Sequence, residues 1–218
     1  MADFATGARA ATGPQLRDAQ RQRGLQMLAP VGRPQGGGGV WQLPRLPESS
    51  ELRTWAEAQS LTELQVDACG APAGLTALAG MERLVTLRLG GLSGIVDLRW
   101  LPALPRLRAL RLEGFGDTLA SLDGIGAAPA LEALALDPRG GRATVESLAP
   151  LAALGELRLL VLPAVVALDP SLSPLAALRK LELFHGTAYF GPDEYATLAD
   201  SLPGLRCPWF SDEAWRLL

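Results

Sequence analysis

Apolar residues return along the last two-thirds of the chain in one six-residue pattern, apolar-x-x-apolar-x-apolar. It reads Leu61, Leu64, Val66; Leu84, Leu87, Leu89; Leu107, Leu110, Leu112; Leu131, Leu134, Leu136; Leu157, Leu160, Leu162; and Leu178, Leu181, Leu183. A degraded seventh copy is Leu205, Pro208, Phe210. Successive starts are 23, 23, 24, 26, 21 and 27 residues apart. In each copy two apolar residues stand one apart, as Leu87 and Leu89 do, which predicts a short strand with one buried and one open face. Stacked copies predict a parallel sheet. Upstream of each strand the apolar positions recur every third residue, as in Leu75, Leu78, Met81 and Leu84 or Val145, Leu148, Leu151, Leu154 and Leu157. A period of three predicts 3₁₀-like turns in preference to α-helix. Pro102, Pro105, Pro150 and Pro174 fall in these stretches and interrupt regular helix.

These residues resemble the leucine-rich-repeat family, nearest to its short internalin-like class, over about residues 61–210. The resemblance implies an α/β leucine-rich-repeat solenoid. Its curved parallel sheet lines the concave side, short 3₁₀, helical or irregular segments form the convex side, and both ends are capped. It also implies the family's usual work, binding other proteins. One departure stands out. Where the family carries asparagine or cysteine three residues beyond the last strand leucine, this chain has Cys69, Leu92, Phe115, Arg139, Val165 and Gly186. Turn backbone groups must then find other partners.

The flanks read as covers for the exposed ends of a solenoid core. Residues 1–39 form an N-terminal arm and a glycine-rich linker, and residues 40–60 an N-terminal cap. In that cap Val40, Trp41 and Leu43 offer a degenerate extra strand, and Leu52, Trp55 and Ala56 share a helix face after Ser49 or Ser50. Residues 211–218 form a C-terminal cap, with Ser211 starting it and Trp215 as an apolar plug. Between the sixth and seventh copies, GPDEYATLADSL predicts an α-helix begun by Pro192, with acids Asp193 and Glu194 in its first turn and Tyr195, Leu198, Ala199 and Leu202 facing the core.

Residues between and beside the buried leucines point out of the sheet, so its open face is read in columns. On this register the central column is Gln65, Arg88, Arg111, Ala135, Val161, Glu182 and Trp209. Leu159, Val161 and Phe184 are outward apolar residues, and exposed apolar patches with arginine and aromatic neighbours mark protein-binding sites. The expected partner-binding footprint is Arg88, Arg111, Leu159, Val161, Phe184, His185 and Trp209. For Phe184 and Trp209 the alternative is packing beneath the C-terminal cap. A second column, Thr62, Val85, Arg108, Glu132, Arg158, Arg179 and Arg206, places four arginines on one edge, opposite Asp67, Glu113 and Asp137.

Composition narrows the chemistry. With 218 residues, 48% hydrophobic and 20% charged, the chain is long enough for one continuous solenoid core. Asparagine is absent and Lys180 is the only lysine against 19 arginines, a bias that points to a GC-rich bacterial genome. A net charge of -3 disfavours nucleic-acid binding, which draws on a cationic field. No apolar run reaches bilayer length, and no secretory pattern opens the chain, so a cytoplasmic location with no membrane partner is expected. Cys69 and Cys207 are six repeat steps apart, roughly 29 Å at the spacing of neighbouring strands, so they are two free thiols.

No cofactor, metal or small-molecule substrate is expected. His185 is the single histidine, placed by this register in an exposed strand-exit turn, so catalysis would require it to meet Cys207. Gly36–Gly39 and Gly124-Ile-Gly126 lack the remaining features of phosphate-binding loops. The leading expectation is a non-catalytic protein-binding scaffold. By analogy with other small repeat proteins it is a bacterial immunity protein masking a toxin. An adaptor or regulatory subunit of an enzyme complex is the alternative, and a nucleic-acid binder using the arginine edge a further one.

Overall fold

The computed structural model describes residues 39–43, 61–70, 75, 78–93, 97–117 and 121–211. The arm, the helix expected before Leu61 and the segment after Ser211 lie outside the described residues. Seven strands form one parallel sheet: β1 (Gly39–Leu43), β2 (Leu61–Val66), β3 (Thr86–Leu89), β4 (Ala109–Glu113), β5 (Ala133–Asp137), β7 (Leu159–Val161) and β9 (Leu183–His185). Every neighbour in it is the next repeat along the chain. A second, two-stranded parallel sheet joins β6 (Ala143–Val145) to β8 (Val165–Ala167). Nothing in the six-residue pattern marks it.

The strands form because their inward leucines have somewhere to go. Leu64, Leu87, Leu110, Leu134 and Leu160 stand opposite one another across the sheet and are at most 1% exposed. Each such side chain contributes about 1.5–3 kcal/mol by leaving water. The period-three residues supply the opposite wall. Short 3₁₀ helices at Leu101–Ala103, Ile125–Ala127, Ala149–Ala153 and Ser173–Ala177 each turn one leucine or isoleucine into the core. Three of the four carry proline in their first positions, where a missing N–H costs nothing.

The helix expected from Pro192 is α1 (Gly191–Ser201), and it buries Tyr195 and Leu198. It replaces the 3₁₀ turn of the sixth repeat and so belongs to the wall. Glu194 does not cap its own helix: its Oε2 accepts from the Leu172 N–H at 2.5 Å and ties α1 to the preceding repeat.

The sixth repeat corrects the register read from sequence. Leu159 pairs with Leu183, Leu160 with Phe184 and Val161 with His185. The inward residues are therefore Leu181 and Phe184, three positions later than Leu178 and Leu181. The Arg206 N–H donates to the Glu182 carbonyl at 3.0 Å, as Glu182 donates to Arg158 at 2.8 Å, so the seventh repeat follows in step from Leu205. Register steps across the sheet are then 23, 23, 24, 26 and 24 residues, with 24 again from Glu182 to Arg206.

Turns without an asparagine ladder are held by backbone bonds that continue from repeat to repeat. The Cys69 N–H donates to the Gly90 carbonyl at 2.9 Å, Leu92 to Glu113 at 3.3 Å and Gly114 to Asp137 at 2.9 Å. The positions that asparagine would fill are instead buried apolar residues, Leu92, Phe115 and Val165 among them. This close stacking requires glycine at Gly114, where φ is +76° and an added Cβ would lie 3.2 Å from the Gly91 nitrogen.

Candidate functional site

On the corrected register, the open face of the sheet has the central column Gln65, Arg88, Arg111, Ala135, Val161 and His185. Glu63, Thr86, Ala109, Ala133, Leu159 and Leu183 precede it. The pleat directs these side chains away from the leucine core. Two regions follow from the composition, one charged and one apolar.

The charged region is organised by Glu113, whose side chain is 3% exposed. Three arginines converge on it: Arg88 at 3.2 Å, Arg139 at 3.0 Å, and Arg111. Arg111 is itself 6% exposed, and its burial holds the guanidinium pKa below the ordinary value against the opposing pull of Glu113. Arg139 reaches the site from a turn at φ 48°, where its N–H donates to Asp137 Oδ1 at 3.1 Å. Arg88 and Arg111 thus stand where the sequence placed them. The carboxylate that joins them was absent from the expected footprint, although the column containing Glu113, Asp137 and Asp67 was visible in the pattern.

The apolar region is a second hydrophobic cluster, Ala135, Leu159 and Val161, with Ala109, Ala133 and Leu183 packed against it. Leu159 and Val161 were expected to be exposed, yet they are 2% and 0% exposed. His185 is the last residue of β9 and 5% exposed, not a solvated residue of a turn. It follows Val161 in the central column.

Two expected footprint residues belong elsewhere. Phe184 points inward, fully buried, with its ring 6.0 Å from that of Tyr195. Trp209 lies in a 3₁₀ helix, Pro208–Phe210, that ends the strand pattern. It is 5% exposed, and its indole N–H donates to the Gly186 carbonyl at 3.1 Å. Its ring lies 6.1 Å from Tyr195. Both aromatics close the C-terminal end of the described core, and the cap expected over them lies outside the described residues.

The arginine edge is also redrawn. With Glu182 in place of Arg179, the column reads Arg108, Glu132, Arg158, Glu182, Arg206. Signs alternate, and the neighbours pair: Arg108 with Glu132, and Arg158 with Glu182 through Nε at 2.7 Å. Hydrogen bonding to Glu182 raises the Arg158 pKa. Beside this ladder, Lys180 and Glu156 pair at 2.6 Å. Exposed pairs of this kind contribute at most about 1 kcal/mol each, but they leave no uniform cationic stripe for a phosphate backbone.

Cys207 and His185 both line one cavity of about 330 Å³. Burial pushes the Cys207 thiol up to about 12, and Cys69 likewise. A nucleophilic cysteine needs the opposite shift, toward thiolate at neutral pH. Among the described residues no three His, Cys, Asp or Glu side chains group to hold a metal ion, and no helix is long and apolar enough to cross a membrane.

No known family model and no curated protein matches the sequence. Solved structures do. Internalin C2 of Listeria monocytogenes overlaps 70% of this chain and 72% of its own, with a TM-score of 0.51 and 21% identity. A second Listeria monocytogenes internalin covers 94% of this chain and 59% of its own, at TM-score 0.49 and 16% identity. The leucine-rich-repeat ectodomain of a plant membrane receptor kinase from Arabidopsis thaliana covers 67% and 18%, at TM-score 0.47 and 16% identity. The overlap with internalin C2 shows the fold: this chain is a leucine-rich-repeat solenoid, internalin-like in architecture.

Proposed function

We propose that the protein is a non-catalytic scaffold that holds a partner protein against the concave face of its solenoid. The observation that carries this reading is the cluster of Ala135, Leu159 and Val161 on the outer side of the sheet. These apolar side chains lie outside the leucine core and are shielded from water in the folded chain, and an apolar strip on the outward side of a sheet is suited to burial against another surface. The Glu113 network beside it supplies fixed charges that orient what binds.

A cytoplasmic location is part of the same proposal, and the two free cysteines support it. A role as a toxin-masking immunity protein is one case of such a scaffold and rests on analogy alone. The identity of the partner decides between that role and an adaptor. The alternating edge weighs against nucleic acid, and the raised Cys207 thiol weighs against a cysteine nucleophile at His185.

The test is affinity capture from the native host, followed by reconstitution with the purified partner. Val161→Glu and Arg88→Glu, each checked for an unchanged circular dichroism spectrum, are compared with wild type. A loss of about 30-fold or more in Kd for Val161→Glu is expected of a residue central to an interface. Equal binding by wild type and both variants removes the concave face from the function.

A further inference from the structure

The parallel ladder breaks off at its C-terminal edge. Along β9 the backbone alternates between two neighbours. The Leu162 N–H donates to the His185 carbonyl at 2.7 Å on the β7 side, whereas the Phe184 N–H donates to the Arg206 carbonyl at 3.0 Å on the side of the seventh repeat. The N–H and C=O of one strand residue point to the same neighbour, so the Phe184 carbonyl also faces the seventh repeat. At the step of 24 residues its donor would be residue 208, and Pro208 has no N–H. Among the described residues no other backbone N–H outside the strands takes that place. The chain turns there into the 3₁₀ helix Pro208–Phe210, and the seventh strand ends after Cys207.

The cavity of about 330 Å³ lies between β9 and this turn, a volume at the small end of ligand pockets. Leu183, Phe184, Leu205 and Phe210 give it apolar walls, and His185 and Arg206 line it as well. Arg206 gives the notch a sign. It is the last rung of the column Arg108, Glu132, Arg158, Glu182, Arg206, whose first four members form two ion pairs. Arg206 is exposed, and among the described residues no carboxylate pairs with it. The alternation calls for an acid at the next position. A second copy stacked end to end would bring Gly39 or Val40 from β1, neither of them acidic. A nucleic-acid backbone would find one cation against an apolar wall, too little charge to hold it.

We propose that this notch docks an extended segment of a partner protein in which an apolar side chain stands beside an acidic one. The apolar side chain fills the cavity, the carboxylate takes the next rung beside Arg206, and a backbone N–H of the segment donates to the Phe184 carbonyl. A segment laid this way continues the sheet, with main-chain bonds giving affinity and the pocket and Arg206 giving selectivity. The site rests on the protein-binding reading above, but neither Val161 nor Arg88 lines the cavity, so the two readings fail separately.

His185 is the single histidine of the chain, so its ring Cε1–H gives one resolvable proton NMR signal at the cavity wall. The probes are three blocked peptides, acetyl-Glu-Leu-Glu-amide, acetyl-Lys-Leu-Lys-amide and acetyl-Glu-Gly-Glu-amide. Each is titrated into the full-length chain at fixed pH and low salt. The first is expected to shift the His185 signal saturably, and the other two to bind about tenfold or more weakly. Arg206→Glu, at an exposed position, should leave the circular dichroism spectrum unchanged and turn the preference toward the lysine peptide. No shift with the first peptide overturns the proposal, as do equal shifts with all three or a preference that survives Arg206→Glu. A His185 signal that moves with protein concentration alone overturns it in favour of a second copy. A shift that appears only in Trp215→Ala overturns it in favour of the chain's own last residues. Because the probes need no native partner, the result stands whatever Val161→Glu and Arg88→Glu do to partner binding.

Discussion

Replacing Phe184 with alanine removes a fully buried ring from the C-terminal end of the core. Phe184 is 0% exposed and stacks on Tyr195 with 24° between the ring planes. Tyr195 is fixed in turn: its hydroxyl donates to the Thr187 carbonyl at 2.9 Å, and its ring contacts Phe190 and Trp209. The surroundings are too constrained to collapse into the space. Phe-to-Ala truncation at such a site costs about 3–5 kcal/mol, the lost aromatic pairing included. For a chain of this length that lowers the melting temperature by about 6–20 °C.

The assay is urea unfolding followed by far-ultraviolet circular dichroism, with Leu183→Ala as the comparison. Leu183 sits on the outer face and is only partly buried, so it should cost clearly less. A solenoid couples each repeat mainly to its neighbours, so the loss is expected to show first as early opening of the last repeats. A change below about 1 kcal/mol for Phe184→Ala would refute the reasoning. It would put the ring on the open face, where the spacing of Leu178, Leu181 and Leu183 had placed it.

Two further outcomes follow from the buried groups. Glu113→Ala leaves Arg111 buried without its closest carboxylate and should cost about 3–5 kcal/mol in urea unfolding, far more than removing the exposed partner in Arg158→Ala; equal losses would mean the Glu113 network is solvated. The Cys207 thiol is raised from 9.0 to about 12 in the fold. The folded state therefore holds a proton that the unfolded chain releases, so stability is intact below about pH 9 and falls from there toward 12. The thiol's share is at most about 1.4 kcal/mol per pH unit. Cys207→Ala should flatten the decline in a pH series of melting temperatures, and an unchanged slope would show that the thiol does not titrate with folding.

The repeat, its strands and the 3₁₀ wall were all legible because each rests on a local period. The register of the sixth repeat was not, and the reason is the same period. Leu172, Leu175, Leu178, Leu181 and Phe184 follow one another at intervals of three through wall and strand alike. A window slipped by one step of three still finds apolar residues in every required place, and Leu183 completes the false copy. Only spacing against the other repeats breaks the tie, since a step of 24 residues recurs and steps of 21 and 27 do not. The slip mattered for the site. It turned Phe184 outward, left His185 out of its column and put Arg179 where Glu182 stands. The paired sheet of β6 and β8 was missed for a different reason: three-residue strands such as Ala143–Val145 are too short to show alternation.

The corrected register also separates the residues that measure binding from those that measure folding. The leucine core is continuous without Ala135, Leu159 or Val161, which form a cluster of their own on the other side of the sheet. Phe184 and Trp209 belong to the core, so substituting them confounds loss of affinity with loss of the C-terminal repeats. Arg111 is compromised in a similar way by its buried pairing with Glu113. Arg88 is not, since its side chain is 27% exposed and Glu113 keeps two other arginines when it is removed. Polar and charged positions fill the central column from Gln65 to Arg111, and apolar ones begin at Ala135. An occupant that matches both halves must therefore be anionic or hydrogen-bonding at one end and apolar at the other. Val161 and Arg88, one from each half, are the pair of positions at which that requirement is tested, with unfolding curves of each variant separating lost affinity from lost stability.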